Sequence, residues 1–390
     1  MKISDVQVIP FTVPRRGFHN GELRPETDTV QTVTRVITDQ GAEGCYFGGA
    51  GHGDQAGLQA ADRAVLTGRI RDLVVGEDPF DRERFWRWMW VANIPEHLLS
   101  VLDNALWDLQ GRALGVPVCK LAGGCRDRVL AYASTYPNVG PPEVYAAHAV
   151  ACKRQGYRHY KIHPYYFWDP ETGRADPGRP SHVEHDVACC RAVRDAVGPD
   201  MELSFDPWGT YRTYEDAVWV GRRLEELDFV WYEHPMNEYQ VSAYRKLTAE
   251  LSIPILSPEI AAGSLYTRAE WIRRGASDMS RIDVLRGGVT GCLKTAALCE
   301  AFGVRLEIHM AGFGNLQVLG ATSEDTCRYY ERGLLAPGVD YETPEPYLEE
   351  LCDPLDADGY VRVPEHPGMG YRIDWDYISE HRIDGDREPS

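Results

Sequence analysis

The sequence predicts an α/β protein: a closed barrel of parallel strands preceded by a smaller α+β domain. Three observations predict it. The chain has 390 residues, enough for one large barrel and a second unit. From about residue 128 onward, short apolar segments alternate with amphipathic stretches at roughly 20–45-residue intervals, and about eight such units argue a closed parallel barrel. Before that point the texture is mixed, without the strand–helix rhythm.

In the first part, Val6–Val13 and Val30–Thr38 are rich in β-branched and aromatic residues and read as strands. Between them, Arg15–Thr27 is polar, contains Gly17, Gly21 and Pro25, and reads as an exposed loop. A second loop, Gly48–Gly53, is glycine-rich but lacks G-x-G-x-x-G spacing and a Walker lysine, which argues against a phosphate loop. Pro95–Leu114 has apolar residues three and four apart (Leu98, Val101, Leu102, Ala105, Leu109) and reads as a helix. The candidate barrel strands are Val129–Ser134, His159–His163, Glu202–Asp206, Phe229–Glu233, Pro254–Ser257, Arg281–Leu285, Arg305–His309 and Cys327–Glu331. Thr213–Asp216 and Thr267–Glu270 have capping-box spacing and mark expected helix starts. The expected division is a capping domain over residues 1–127, a barrel over 128–353, and a tail, 354–390, that packs back on the first domain.

Composition narrows the function classes. The net charge of −18 argues against nucleic acid, which needs a basic footprint. No stretch approaches the roughly 18 consecutive apolar residues of a spanning helix, so no membrane partner is expected. Ten scattered cysteines form no disulfide framework and no C-x-x-C pair. With no export pattern in Met1–Asp5, a cytoplasmic location is the expectation.

Chemistry concentrates at strand ends. In Met201–Asp206, alternation puts Met201, Leu203 and Phe205 on one face and Glu202, Ser204 and Asp206 on the other, facing the barrel interior. Asp206, Glu233 and Glu259 fall at the C-terminal ends of three consecutive strands, where barrel enzymes place catalytic groups. Close together they would repel one another unless a hard divalent cation sat between them, and all-oxygen ligation favours Mg²⁺. Lys161 and His163, two apart, share the inward face of one strand. Asp283 and His309 lie near the ends of two later strands, where the carboxylate would fix the imidazole tautomer and raise its basicity. Glu331 ends the last candidate strand.

At these residues the chain resembles the enolase superfamily, and specifically its mandelate-racemase branch. Asp206, Glu233 (in Glu233-His-Pro235) and Glu259 match the family's metal ligands, and Asp283 with His309 matches the branch's Asp–His dyad. The segment Asp283–Gly291 is similar to the branch's sixth strand, and Ala105–Pro117 with Leu121–Gly124 is similar to the junction between cap and barrel. The resemblance runs from about residue 1 to 375. It implies a TIM-type (β/α)7β barrel with an α+β N-terminal capping domain, Mg²⁺ as cofactor, a homo-oligomer, and a small hydroxy-carboxylate as substrate. Lys161 and a protonated Glu331 would then donate hydrogen bonds to the substrate carboxylate. Two departures stand out: Lys161-Ile-His163 replaces the usual Lys-x-Lys, and Trp208 stands where relatives often carry Asn, reshaping the pocket.

The fate of the intermediate formed by α-proton removal decides the reaction. Loss of a β-hydroxyl, protonated by His309, makes an acid-sugar dehydratase. Reprotonation on the opposite face makes a racemase or epimerase, and a cycloisomerase is a further alternative. His163 in place of a second lysine weakens the case for two matched bases and favours dehydration. A non-catalytic barrel is the alternative from another class. His19, Arg24 and His52, in the two cap loops, are candidate contacts for distal substrate groups, though each reads equally as a solvated loop residue.

Overall fold

The structure, a computed structural model, describes residues 1–50, 56–164, 168–169, 172, 174–175 and 182–383. It opens on a three-stranded antiparallel sheet: β1 (Ile3–His19), β2 (Glu22–Thr38) and β3 (Glu43–Phe47). The stretch expected as a loop, Arg15–Thr27, is therefore strand except at its tip. Asn20 (φ 52°) and Gly21 (φ 81°) form a two-residue turn whose left-handed backbone suits the twist of a hairpin. Asn-Gly carried this signal, but the flanking residues lack alternation because, Phe18 aside, both faces of the distal hairpin meet solvent.

A helical segment over residues 60–74 comes next, then α1 (Arg82–Val91) and α2 (Glu96–Leu114). The α2 helix spans nearly the whole expected range and ends at Gly115 in the left-handed conformation. Its buried face packs against the sheet so closely that a Cβ on Gly44 would sit 2.2 Å from the Ala105 carbonyl oxygen and 2.3 Å from the Leu109 nitrogen. Neither backbone atom can yield without moving α2. Gly44→Ala is expected to destabilise the protein by about 1–3 kcal/mol through overpacking, read as a lower denaturant midpoint. An unchanged midpoint would show that sheet and helix separate easily.

The barrel strands are β4 (Arg128–Thr135), β5 (His159–Ile162), β6 (Glu202–Phe205), β7 (Trp231–Glu233), β8 (Ile255–Leu256), β9 (Met279–Ile282), β10 (Arg305–Ile308) and β11 (Tyr329–Leu335). They pair in parallel in that order, and β11 closes on β4. Two expected strands are displaced. The sixth, expected at Arg281–Leu285, lies two residues earlier, so Asp283 stands just beyond its end. The eighth begins at Tyr329 and continues to Leu335, so Glu331 is mid-strand rather than terminal. The Thr213 hydroxyl accepts from the Asp216 N–H at 3.1 Å and caps its helix as expected. Thr267 does not, because that helix already begins at Ser264.

Sheet and barrel are joined by hydrogen bonds that cap a helix. The barrel helix α3 (Gly288–Phe302) presents unpaired N–H groups at its start, as every helix does. Side chains of α2 satisfy them: Ser100 accepts from Gly287 and Gly288, Asn104 from Val289, and Asp103 from Thr290. Residues 381–383 run beside β1, with Ile383 donating to the Pro10 carbonyl at 2.9 Å. The hairpin tip reaches the loop after β4, where Asn138 donates to the Asn20 side chain and Phe18 meets the Tyr136 ring. No disulfide forms among the ten cysteines, eight of which are buried. No helix among the described residues is long and apolar enough to cross a membrane.

Candidate active site

Alternation along the strands stacks the barrel interior in layers. The lowest is an aromatic and aliphatic plug of Leu130, Tyr132, Trp231, Leu256, Met279 and Tyr329, with the His159 ring 4.4 Å from the Trp231 ring. Two residues further along the strands comes a charged layer. Lys161 (β5) lies 2.7 Å from Glu331 (β11) and 3.1 Å from Glu233 (β7). Arg281 (β9) pairs with Glu233 at 2.6 Å and also with Glu331. All four are essentially inaccessible to solvent. One step higher, at the mouth, stand His163, Asp206, Asp283 and His309.

The mouth contains a dyad. His309 Nδ1 is 2.7 Å from Asp283 Oδ2, and the carboxylate requires the proton on that nitrogen. Nε2 is thereby turned towards Glu259, 3.2 Å away. The second Asp283 oxygen accepts from the Leu285 N–H, and Asn315 fixes the dyad's other half by donating to the His309 and Met310 carbonyls. Burial works against the Asp283 charge, but the His309 hydrogen bond and Arg286 outweigh it and hold the carboxyl at about 2. His163 differs: Nδ1 faces the Thr135 carbonyl, and Nε2 lies 3.1 Å from Asp206. Its ring meets Trp208 edge-on at 5.2 Å, and the Trp208 backbone N–H donates to Asp206 at 2.8 Å.

The charged layer corrects one expectation. Glu331 accepts from Lys161, Arg281 and the Met310 N–H, so its carboxyl is an acceptor among donors, not a protonated donor. Burial opposes its charge, yet Arg281 and Lys161 hold it well below the usual carboxylate range. Burial and the neighbouring Arg281 likewise oppose the Lys161 charge, but Glu233 and Glu331 outweigh both and hold the ammonium above its ordinary value. Lys161 is thus a fixed cation beneath the mouth.

The three expected metal ligands lie near one another: Asp206 and Glu233 stand 3.9 and 3.1 Å from the same Lys161 ammonium, and Glu259 closes the group from the next strand's end. Asp206, Glu259 and His234 bring ligand atoms within 4.8 Å of one another, all buried. Glu233 is paired from below with Lys161 and Arg281, and the next residue, His234, stands at the mouth. Strand β7 ends at Glu233, and His234 takes a left-handed backbone (φ 40°), so its side chain need not continue the alternation. The clustered carboxylates are a donor set that fits a divalent cation, and His234 Nδ1 lies 3.6 Å from Glu259 beside them. The Glu259 loop is held from two sides: Glu238 accepts from the N–H groups of Glu259, Ile260 and Ala261, and buried Arg268 donates to the Glu259 and Ala261 carbonyls.

His163, Asp206, Trp208, His234, Glu259, Ile260, His309, Met310, Glu331 and Leu334 line one cavity of about 260 Å³. His19 and Arg24 are not in its wall. Both lie on the exposed hairpin, where Arg24 is 3.8 Å from Glu22. His52 lies outside the described residues. Sequence reasoning missed Arg281, His234, Glu238 and Arg268. Arg281 alone had a signal, since it lies two residues before Asp283 and so shares its inward face.

A capped parallel barrel with a His–Asp dyad and clustered carboxylates at its mouth defines an enzyme class that works by acid–base chemistry. Residues 21–123 match the mandelate racemase / muconate lactonizing enzyme N-terminal domain and residues 144–377 the enolase C-terminal domain-like model, and the chain belongs to this family of the enolase superfamily. It is similar to a structure of D-glucarate dehydratase from Agrobacterium tumefaciens complexed with magnesium, at 39% identity and TM-score 0.89, over 98% of this chain and 100% of that one. It is 29% identical to D-galactarolactone cycloisomerase of Agrobacterium fabrum, over 87% of this chain and 89% of the relative. It is 31% identical to D-gluconate dehydratase of Thermoproteus tenax, over 75% of this chain and 57% of the relative.

Proposed function

We propose that this protein is a divalent-metal-dependent acid-sugar dehydratase, converting a hydroxy-carboxylate into a 2-keto-3-deoxy acid. The observation that carries the reading is the His309–Asp283 dyad at 2.7 Å, opening on the same cavity as Asp206 and Glu259. Asp206, Glu233 and Glu259 would hold the cation, which when bound supplies Lewis-acid stabilisation of negative charge on the substrate carboxylate.

The chain's own residues perform the rest. His309, its Nδ1–H held by Asp283, takes the proton from the carbon beside the carboxylate at Nε2. Asp283 stabilises the imidazolium that results. Lys161 keeps positive charge under the developing ene-diolate. His309 then returns its proton to the β-hydroxyl, which leaves as water, and the enol tautomerises to the keto acid. His163 and Trp208 form a wall that orients the substrate's hydroxyl-bearing carbons. Asp283 orients one imidazole for acid–base work, whereas His163 Nδ1 faces the Thr135 backbone carbonyl and has no carboxylate behind it, which supports elimination over two-base racemisation. A second reading, cycloisomerisation, is favoured by the 29% identity to D-galactarolactone cycloisomerase over 87% of this chain.

Incubation with Mg²⁺ and pooled aldonic and aldaric acids in D₂O, followed by proton NMR, is expected to give the methylene signal of a 2-keto-3-deoxy acid. Chelation by EDTA should abolish it and added Mg²⁺ restore it. Epimer or lactone rearrangement without that signal would replace dehydration by isomerisation.

A further inference from the structure

We infer that Asp186 is a positioning residue for the mouth: through Tyr211 it anchors the loop after β6 that carries Asp206 and Trp208. It does so as a neutral carboxylic acid, so the loop loosens in alkali. The inference rests on the reading that the cavity at the mouth is the active site, while the contacts that carry it lie behind the cavity wall.

Trp208 holds a left-handed backbone (φ 55°), which a residue with a side chain keeps only where its surroundings impose it. Within the loop, the Thr210 N–H and hydroxyl both donate to the Pro207 carbonyl, at 3.1 and 2.7 Å. Across to the loop after β7, the Gly209 N–H donates to the His234 carbonyl at 2.6 Å and the Tyr211 N–H to the Pro235 carbonyl at 3.2 Å. That second loop is fastened in turn by Tyr244, whose hydroxyl accepts from the Met236 N–H and donates to the Met236 carbonyl. The two loops therefore move together or not at all, and each has one buried tyrosine as its outer anchor.

The Tyr211 hydroxyl donates to Asp186 Oδ2 at 2.7 Å. Asp186 stands in the first turn of the helix Val183–Val197 and is inaccessible to solvent. Its other oxygen, Oδ1, has no hydrogen-bond partner among the described residues. Tyr211 and Tyr232 face it from the barrel side, and Glu184, Cys189 and Cys190 from its own helix, with the N-cap His182 one turn before it. None of the five groups that face it is a cation. A carboxylate here would be a buried charge without a countercharge, whereas a carboxylic acid accepts the tyrosine hydrogen bond without that cost. Burial accordingly pushes the Asp186 carboxyl up to about 8, against the pull of the Tyr211 hydrogen bond. Because the folded-state value lies above the ordinary one, the stability this group contributes is present in acid and is lost as pH rises through about 8.

The test is amide hydrogen exchange of the full-length protein, read by mass spectrometry on peptides that cover Gly209, Thr210 and Tyr211. It is run at about pH 7 and about pH 9, with protection expressed relative to the free-peptide rate, and needs neither substrate nor metal. The wild type should be protected at the lower pH and about 10-fold less protected at the higher. Asp186→Asn keeps an acceptor for Tyr211 and cannot ionise, so it should be protected at both. Asp186→Leu and Tyr211→Phe should be about 10-fold less protected already at the lower pH; Tyr211→Phe keeps the bulk of the ring and serves if Asp186→Leu does not fold. With an acid sugar that the NMR experiment shows to turn over, Asp186→Leu should raise KM more than it lowers kcat, and Asp186→Asn should restore KM. Three results would each overturn the inference and leave the dehydratase reading intact: an unprotected loop in Asp186→Asn at the lower pH, wild-type protection in Asp186→Leu and Tyr211→Phe, or equal protection of the wild type at both pH values. Absence of turnover on every acid sugar would overturn the dehydratase reading and leave the exchange results standing.

Discussion

His309→Asn is expected to lower turnover by about 10²-fold or more while leaving the fold intact. The asparagine amide keeps a donor for Asp283, so the buried carboxylate is not stranded, but no proton can be taken at the position of Nε2. The loss should fall on kcat, since the ring makes its contribution as the proton moves. Exchange of the substrate α-proton with D₂O should fall in parallel with product formation, because both begin with the same step. Asp283→Asn should act in the same direction and less severely, since the imidazole remains but its tautomer is no longer imposed. Near-normal turnover in His309→Asn would remove His309 from the mechanism and shift attention to His163, the other imidazole on the cavity wall.

The largest effect on stability is expected at Arg281. Replacing it by Met leaves Glu233 and Glu331 buried with Lys161 as the cation between them. Breaking a buried charge network from one side costs about 3–5 kcal/mol, because the partner charges stay behind without compensation. Arg281→Lys should recover only part of this, since an ammonium cannot face two carboxylates with a planar fork. Chemical denaturation of the two variants beside the wild type gives the measurement. An Arg281→Met midpoint equal to wild type would mean that the carboxylates take up protons or water at little cost, and that the layer does not hold the barrel centre together.

The same layer explains why the candidate site was only partly legible. Asp206 and His309 could be placed from sequence because each closes a short alternating segment, and Asp283 because it lies near the end of one; period two fixes which face each shares with its neighbours. Lys161 and His163 came by the same rule. Glu331 was assigned to the mouth because its strand was expected to stop there, but β11 continues to Leu335 and puts Glu331 one layer down. The Arg15–Thr27 hairpin was missed for a related reason. A strand with solvent on both faces has no apolar alternation, leaving Asn20-Gly21 as the local sign of its turn.

Apolar periodicity and segment length are local properties of the chain, and they were enough to specify the barrel, its order of strands and most of its inward-facing side chains. Which inward charges meet is a property of the closed barrel. Lys161, Glu233, Arg281 and Glu331 come from four strands and are brought together only when the sheet closes on itself. Once there, the dry interior pairs Glu233 with cations below, and a left-handed backbone at His234 turns an imidazole to the mouth. Charge pairing acts through space, so no spacing along the chain could state that outcome in advance.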